Sequence, residues 1–365
     1  MGILPTVMAN AQNIKNANTQ LPSVVNQYKQ VINKENIMRS EGNTEVLVDA
    51  NKLTAAMKEF LTRPSRRFTL IKEVDGMLLY RVPNDMATEF FIELNITARE
   101  AKPQPNYLYT IESWDNTSPT RAIPSDYSLT GHWNLEKIKA PEAWKELGGC
   151  VSDNTCTGDS DVIIAVLDTG VAYENYTYFV GSDQDRDYYL NPEFSNVNFV
   201  GGYDAYQDYY CYYYGCTTEE ADKINHANDD HGHGTAVTSI IASNIGDASP
   251  NKMVGIANGV SLMPVKISIP NDGDTGSGQS NSFLMSIALD YARENGADIV
   301  NISFGGSEYD SYIEDAVNEA YNAGMVIVAA SGNENSSVIY PAAFANVIAV
   351  GASNELDLRA SYSNY

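Results

Sequence analysis

Apolar and polar positions follow one rhythm in the first third of the chain and another after Asp161. Thr44–Ala50 alternates as a strand with one buried face does, and Leu53, Met57, Phe60 and Leu61 recur at helical spacing. Phe68–Val74 and Met77–Val82 read as a hairpin around Asp75-Gly76, a strong turn pair. Met86–Leu94 repeats the helical pattern, and a last strand runs into Pro105-Asn106-Tyr107. The order is β-α-β-β-α-β, the split arrangement of a small ferredoxin-like α+β domain.

From Asp161 the apolar runs become continuous. Val162–Leu167, Val260–Ile267, Asp298–Ser303, Val326–Ala330 and Val347–Val350 read as strands buried on both faces. Between them Ala236–Ser243, Phe283–Glu294 and Tyr312–Asn322 read as helices. This alternation predicts a doubly wound parallel sheet whose site lies at the carboxyl ends of its strands. Residues 12–43 are a polar, Asn/Gln/Lys-rich leader, and 109–126 are a polar linker containing Pro119 and Pro124. Residues 1–11 resemble a signal-peptide remnant with Ala9-x-Ala11 as its cleavage signal, although a basic start is missing.

Composition narrows the partners. A net charge of −24 argues against nucleic acid, which needs clustered Lys and Arg. It suits an exported protein and leaves carboxylates for calcium, or serves solubility alone. No run reaches the ~20 apolar residues of a membrane helix. The four cysteines form two close pairs, Cys150/Cys156 and Cys211/Cys216, read as two short disulfides, with reduced thiols as the alternative. Asp183, Asp185 and Asp187 alternate like calcium ligands, but without the glycine and glutamate of a calcium-binding helical hand.

Three segments carry chemistry. Asp161–Gly170 puts Asp168 at the end of a buried strand, where a carboxylate needs a donor. Asp229-Asp-His-Gly-His233-Gly-Thr leads into an apolar-striped helix, and Val326–Glu334 is a buried strand ending in Gly332-Asn333. In that order these segments resemble the subtilisin-like serine protease family. Trp133–Trp144 resembles the start of its catalytic domain, and Glu100–Tyr107 the close of its prodomain. The resemblance covers 44–108, as an inhibitory and chaperoning prodomain, and 127–365, as a partial catalytic domain.

The resemblance implies His233, not His231, as general base, Asp168 as its orienting acid and Asn333 as oxyanion donor. It implies a cleft for an extended polypeptide between Gly276-Ser277-Gly278 and Ser303-Phe304-Gly305, with Ala330, Ser331 and Gly332 beside it. Tyr340-Pro341 fits a family turn with a cis proline. No cofactor is needed for this chemistry, and structural calcium is compatible with it. The family's Gly-Thr-Ser nucleophile motif does not occur in these 365 residues. The expectation is therefore a fragment of a secreted, self-inhibited zymogen, inactive without that serine. Two rivals remain: a non-catalytic binding or inhibitory protein with a dead cleft, and an aspartic protease using Asp168 and Asp274, both in Asp-Thr-Gly.

Overall fold

In the computed structural model the described residues are 37–40, 42–62, 68–74, 76–97, 101–111, 133–146, 158–178, 186–244, 255–270 and 278–365. They divide into two compact units, Met1–Leu108 and Tyr109–Tyr365. The signal-like start, residues 12–36 of the leader and most of the 109–126 segment lie outside the described residues.

The first unit runs β1 (Arg39–Ser40), β2 (Asn43–Asp49), α1 (Ala55–Thr62), β3 (Thr69–Val74), β4 (Met77–Pro83), α2 (Asn84–Thr97) and β5 (Gln104–Pro105). The sheet order is β1-β2-β4-β3, with β5 also paired to β2, and all its pairings are antiparallel. The alternating apolar positions Val46, Val48, Leu78 and Tyr80 meet Met57, Leu61, Phe90, Phe91 and Leu94 of the two helices in one core. Phe90 is fully buried, edge-on to Phe68 at 4.6 Å; truncating such a side chain costs about 3–5 kcal/mol.

The second unit takes up the chain within β6 (Leu108–Ile111) and continues through α3 (Trp133–Lys137), α4 (Ala140–Glu146) and β7 (Ile163–Asp168). It then forms β8 (Tyr176–Tyr178), β9 (Arg186–Tyr188), β10 (Asn198–Phe199), β11 (Tyr203–Asp204), α5 (Ala205–Tyr214), α6 (Thr218–Asp222) and α7 (His233–Ala242). β12 (Ser261–Lys266), β13 (Gln279–Asn281), α8 (Ser282–Glu294), β14 (Ile299–Ile302) and β15 (Phe304–Gly305) follow, then α9 (Ser311–Asn322), β16 (Val326–Ala330) and β17 (Ile348–Val350).

The main sheet runs β10-β12-β7-β14-β16-β17, with β11 also on β12 and every pairing parallel. The continuous apolar runs explain this, since β7 and β12 are buried along nearly their whole length. From β7 the chain builds outward through β12 on one side and β14 on the other. The carboxyl end of β7 is thus the point where strand order reverses, the usual place for a ligand crevice. Helix starts are set by short polar side chains: Asn281 accepts from Leu284 N–H, and Asp310 from Tyr312 and Ile313 N–H.

The tyrosine-rich stretch after Tyr203 is a helix, α5. Asp204 caps it, and a Cys211–Cys216 disulfide ties its last turn to the following loop. Tyr209 packs against Phe283 and Tyr203 stacks on Tyr291 at 4.4 Å, while Tyr212 and Tyr214 stay exposed. Cys150 and Cys156 lie outside the described residues.

Candidate active site

Asp168 ends β7 with no exposed surface, and His233 opens α7 directly across from it. The imidazole Nδ1 lies 2.7 Å from Asp168 Oδ1, which also accepts from Thr169 N–H at 2.7 Å. Asp168 Oδ2 is buried without a partner. Burial pushes the Asp168 carboxyl up, against the hydrogen bond and charge of His233. Burial alone would lower His233, but the hydrogen bond and charge of Asp168, with Asp229 adding, leave it raised. An imidazole held this way has its tautomer fixed, with Nε2 left to take a proton from a hydroxyl.

The approach of α7 to β7 depends on Gly234. A Cβ there would fall 2.1 Å from Gly170 O and 3.0 Å from Asp168 Cβ. Asp229 holds the turn before the helix: Oδ1 accepts from Thr169 Oγ1, His231 N–H and Gly232 N–H, and Oδ2 from the N–H and hydroxyl of Thr235. His231 is exposed, its ring 6.4 Å from that of His233. Of the two histidines, His233 is the one on Asp168. The Asp229 role was invisible in sequence, although its place four residues before a Gly-Thr-flanked histidine is a signal.

Asn333 follows the carboxyl end of β16 and is partly exposed, its N–H donating to Glu334 Oε2 at 3.0 Å. Ala330 ends β16, and Ser331 and Gly332 are buried after it. Gly332 has φ +107°, and a Cβ on it would lie 2.2 Å from Asn364 Nδ2. Asn364 is the residue that shapes this loop. Its Oδ1 accepts from Glu334 and Ser336 N–H, and its Nδ2 donates to Glu334 Oε2 and Ser337 O. The Tyr340–Pro341 bond is cis.

The second element of the site is a separate three-stranded sheet, β13-β6-β15. The chain's own residues Tyr109–Ile111 fill the gap between Gln279–Asn281 and Phe304–Gly305. Thr110 pairs with Gly305 and Ile111 with Phe304, antiparallel. Tyr109–Ile111, read from sequence as the start of a linker, is thus a strand in the groove that the sequence had pointed to for an extended peptide. Gly278 is described, with φ +60°, and Ser303 receives a 3.3 Å contact from Asn301 Nδ2. Gly276, Ser277 and Asp274 lie outside the described residues.

Beside Asp168, in register with it on β12, stands Lys266. Its ammonium donates to Asn228 O at 3.0 Å and to Asp230 Oδ2, with Asp204 Oδ2 at 4.0 Å. Lys223 pairs with Asp204 at 2.8 Å, and Tyr188 donates to Asp230 at 2.6 Å. Burial would lower Lys266, yet Asp204 and Asp230 leave it raised; at Lys223 burial wins and the pKa is lowered. Asp230, which burial alone would raise, is held below its ordinary value by Lys266.

Among the described residues no group of three His, Cys, Asp or Glu side chains is arranged to hold a metal ion. Asp187 accepts from Thr177 Oγ1 and Tyr189 OH, while Asp183 and Asp185 lie outside the described residues.

The sequence profile of the subtilase peptidase family matches residues 159–365. The chain belongs to the subtilase family. It is 32% identical over 279 residues to the minor extracellular protease Epr of Bacillus subtilis, covering 73% of this chain and 35% of that protein. It is 31% identical over 237 residues to subtilisin Savinase of Lederbergia lenta, covering 64% of this chain and 67% of that one. M-protease of Shouchella clausii is 29% identical, with 72% of this chain and 53% of that protein covered. The chain thus spans from about a third to two thirds of the length of these relatives. A solved structure of the epidermin leader peptide processing serine protease of Staphylococcus aureus shares the fold, with a TM-score of 0.56 at 18% identity, covering 89% of this chain and 73% of that one. The α/β fold with a parallel sheet is that of the family.

Proposed function

We propose that the protein is an exported serine endopeptidase acting on extended polypeptides and made as a self-inhibited zymogen. In this reading residues 44–108 are the inhibitory domain and 127–365 the part of the catalytic domain in this chain. The 2.7 Å Asp168–His233 pair at the strand-order reversal carries the reading. His233 Nε2 takes the proton of a serine supplied by sequence beyond Tyr365, and Asp168 stabilises the imidazolium that forms. The amide of Asn333 and a backbone N–H meet the oxyanion, a charge present only in the transition state.

The substrate lies between β13 and β15, as Tyr109–Ile111 does now, and the same three residues block the groove until the chain is cut within 107–127. Export is supported by the extracellular relative and by the Cys211–Cys216 disulfide. No helix among the described residues is long and apolar enough to cross a membrane. The test is casein hydrolysis by the full-length product of the locus. Cleavage sensitive to phenylmethylsulfonyl fluoride and lost in His233→Ala supports the reading. A folded product with no turnover sinks it in favour of a peptide-binding role.

A further inference from the structure

Tyr109 shows what the groove selects. Its side chain is 1% exposed, and its phenol oxygen lies 3.4 Å from Asp310 Oδ2. Asp310 is itself fully buried, and its other oxygen is fixed by the start of α9, accepting from Tyr312 N–H at 2.9 Å and Ile313 N–H at 3.1 Å. Helix capping therefore orients the carboxylate, and the oxygen that remains faces the phenol. A buried carboxylate is costly unless donors meet it, and the Tyr109 phenol is one of the donors that meet this one.

The direction of the strand follows from register. Ile302, at the end of β14, is level with Leu167, one residue before Asp168. β15 leads away from that level, and β6 runs antiparallel to it, with Thr110 on Gly305 and Ile111 on Phe304. From Tyr109 to Ile111 the chain therefore runs toward Asp168 and His233. Tyr109 occupies a subsite on the amino-terminal side of the bond to be cut.

We infer that Asp310 is a specificity-determining residue that makes the protein select substrates with a tyrosine at the position Tyr109 now holds, reading the phenol hydroxyl rather than the aromatic ring alone. This rests on the endopeptidase reading above for its consequence, but the contact itself does not. A pocket that hydrogen-bonds a substrate hydroxyl discriminates against the analogue lacking it far better than an apolar pocket discriminates by size.

The test uses the full-length product and peptides spanning residues 105–116, with Ala in place of Tyr107 to block a shifted register. Position 109 is Tyr, Phe, Arg or Ala. The expected result is kcat/KM on the order of 10-fold or more higher for Tyr than for Phe, a preference that a charge-assisted hydrogen bond supplies. Asp310→Asn keeps a side-chain oxygen for the helix start, so it should collapse the Tyr-over-Phe ratio of kcat/KM toward one by lowering the Tyr peptide more than the Phe peptide. Equal rates for Tyr and Phe, a preference for Arg, or an equal loss on every peptide in Asp310→Asn would overturn the inference. Independently of turnover, amide exchange of Thr110 and Ile111 in the intact chain should speed up on the order of 10-fold in Tyr109→Phe. No cleavage of any peptide with that acceleration present refutes the endopeptidase reading and keeps the Asp310 contact; unchanged exchange refutes the contact.

Discussion

Two buried charge systems stand side by side at the carboxyl ends of β7 and β12, on residues paired in register, Asp168 and Lys266. Around Lys266 the charges close on one another: Asp230 and Asp204 face two lysines, and Tyr188 and Asn228 O take up further valences. Around Asp168 they do not close. One of its oxygens is buried without a partner, and the imidazole it holds keeps Nε2 without a partner among the described residues. The same sheet end thus carries one satisfied network, which anchors the Asp229–His233 turn, and one unfinished network, which has bonding capacity left for a reacting group. Incomplete satisfaction of a buried carboxylate is a cost to folding, and here it coincides with the atoms proposed to do chemistry.

The contrast predicts that the two systems fail differently when cut. In the full-length product, His233→Ala should abolish turnover, by about four orders of magnitude or more. Its loss of stability should be smaller than that from cutting the Lys266 network, because burial already pushes the Asp168 carboxyl up and it can take a proton once its partner is gone. A loss as large as that from cutting the Lys266 network would mean that the pair is structural. Asp168→Asn should cost about 10⁴-fold in kcat by releasing the imbalance that fixes the imidazole. It should also move the pH profile. His233 is raised above its ordinary 6.5, and a base works only when neutral, so the acid limb of kcat/KM should lie above that value in the parent and shift down in the variant. A limb that does not move would break the assignment.

Lys266→Met should do the opposite, costing about 3–5 kcal/mol of stability because it leaves buried carboxylates uncompensated, as read by denaturant unfolding. The sign with pH is fixed by Asp230. Its pKa is depressed, so its contribution is present above the unfolded carboxylate value and lost as pH falls through the folded one. The gap between parent and Lys266→Met should therefore narrow in acid. Least of all, Cys211→Ser with Cys216→Ser should cost about 2 kcal/mol, the value for closing so short a loop. Turnover should be unaffected, since neither sulfur touches the dyad.

β7 and β12 were legible because a strand buried on both faces must be apolar throughout. Val326–Ala330 matches β16 in extent, but β16 alternates between buried and more exposed positions and β17 is exposed along its length, so the expectation of two buried faces fails for both. Asp168 and His233 stood out because a carboxylate ending such a strand needs a donor, and a histidine between glycines opens a helix. Other parts left no such trace. Asp310 and Tyr109 are 201 positions apart, and nothing local marks either. The Lys266 cluster draws on four separate segments. The helix at Ala205–Tyr214 was hidden because tyrosines occupy its buried and exposed faces alike, so no apolar stripe shows.

The β13-β6-β15 sheet has a consequence for solubility. Its outer members are only Gln279–Asn281 and Phe304–Gly305, and each is paired through Tyr109–Ile111. Withdrawing the middle strand would open two facing rows of backbone donors and acceptors at once, beside the place vacated by Tyr109. Unpaired strand edges recruit other chains. Until a peptide replaces it, the inserted segment therefore works as a stopper against self-association, and the molecule is at its stickiest in the interval between losing that strand and gaining the next.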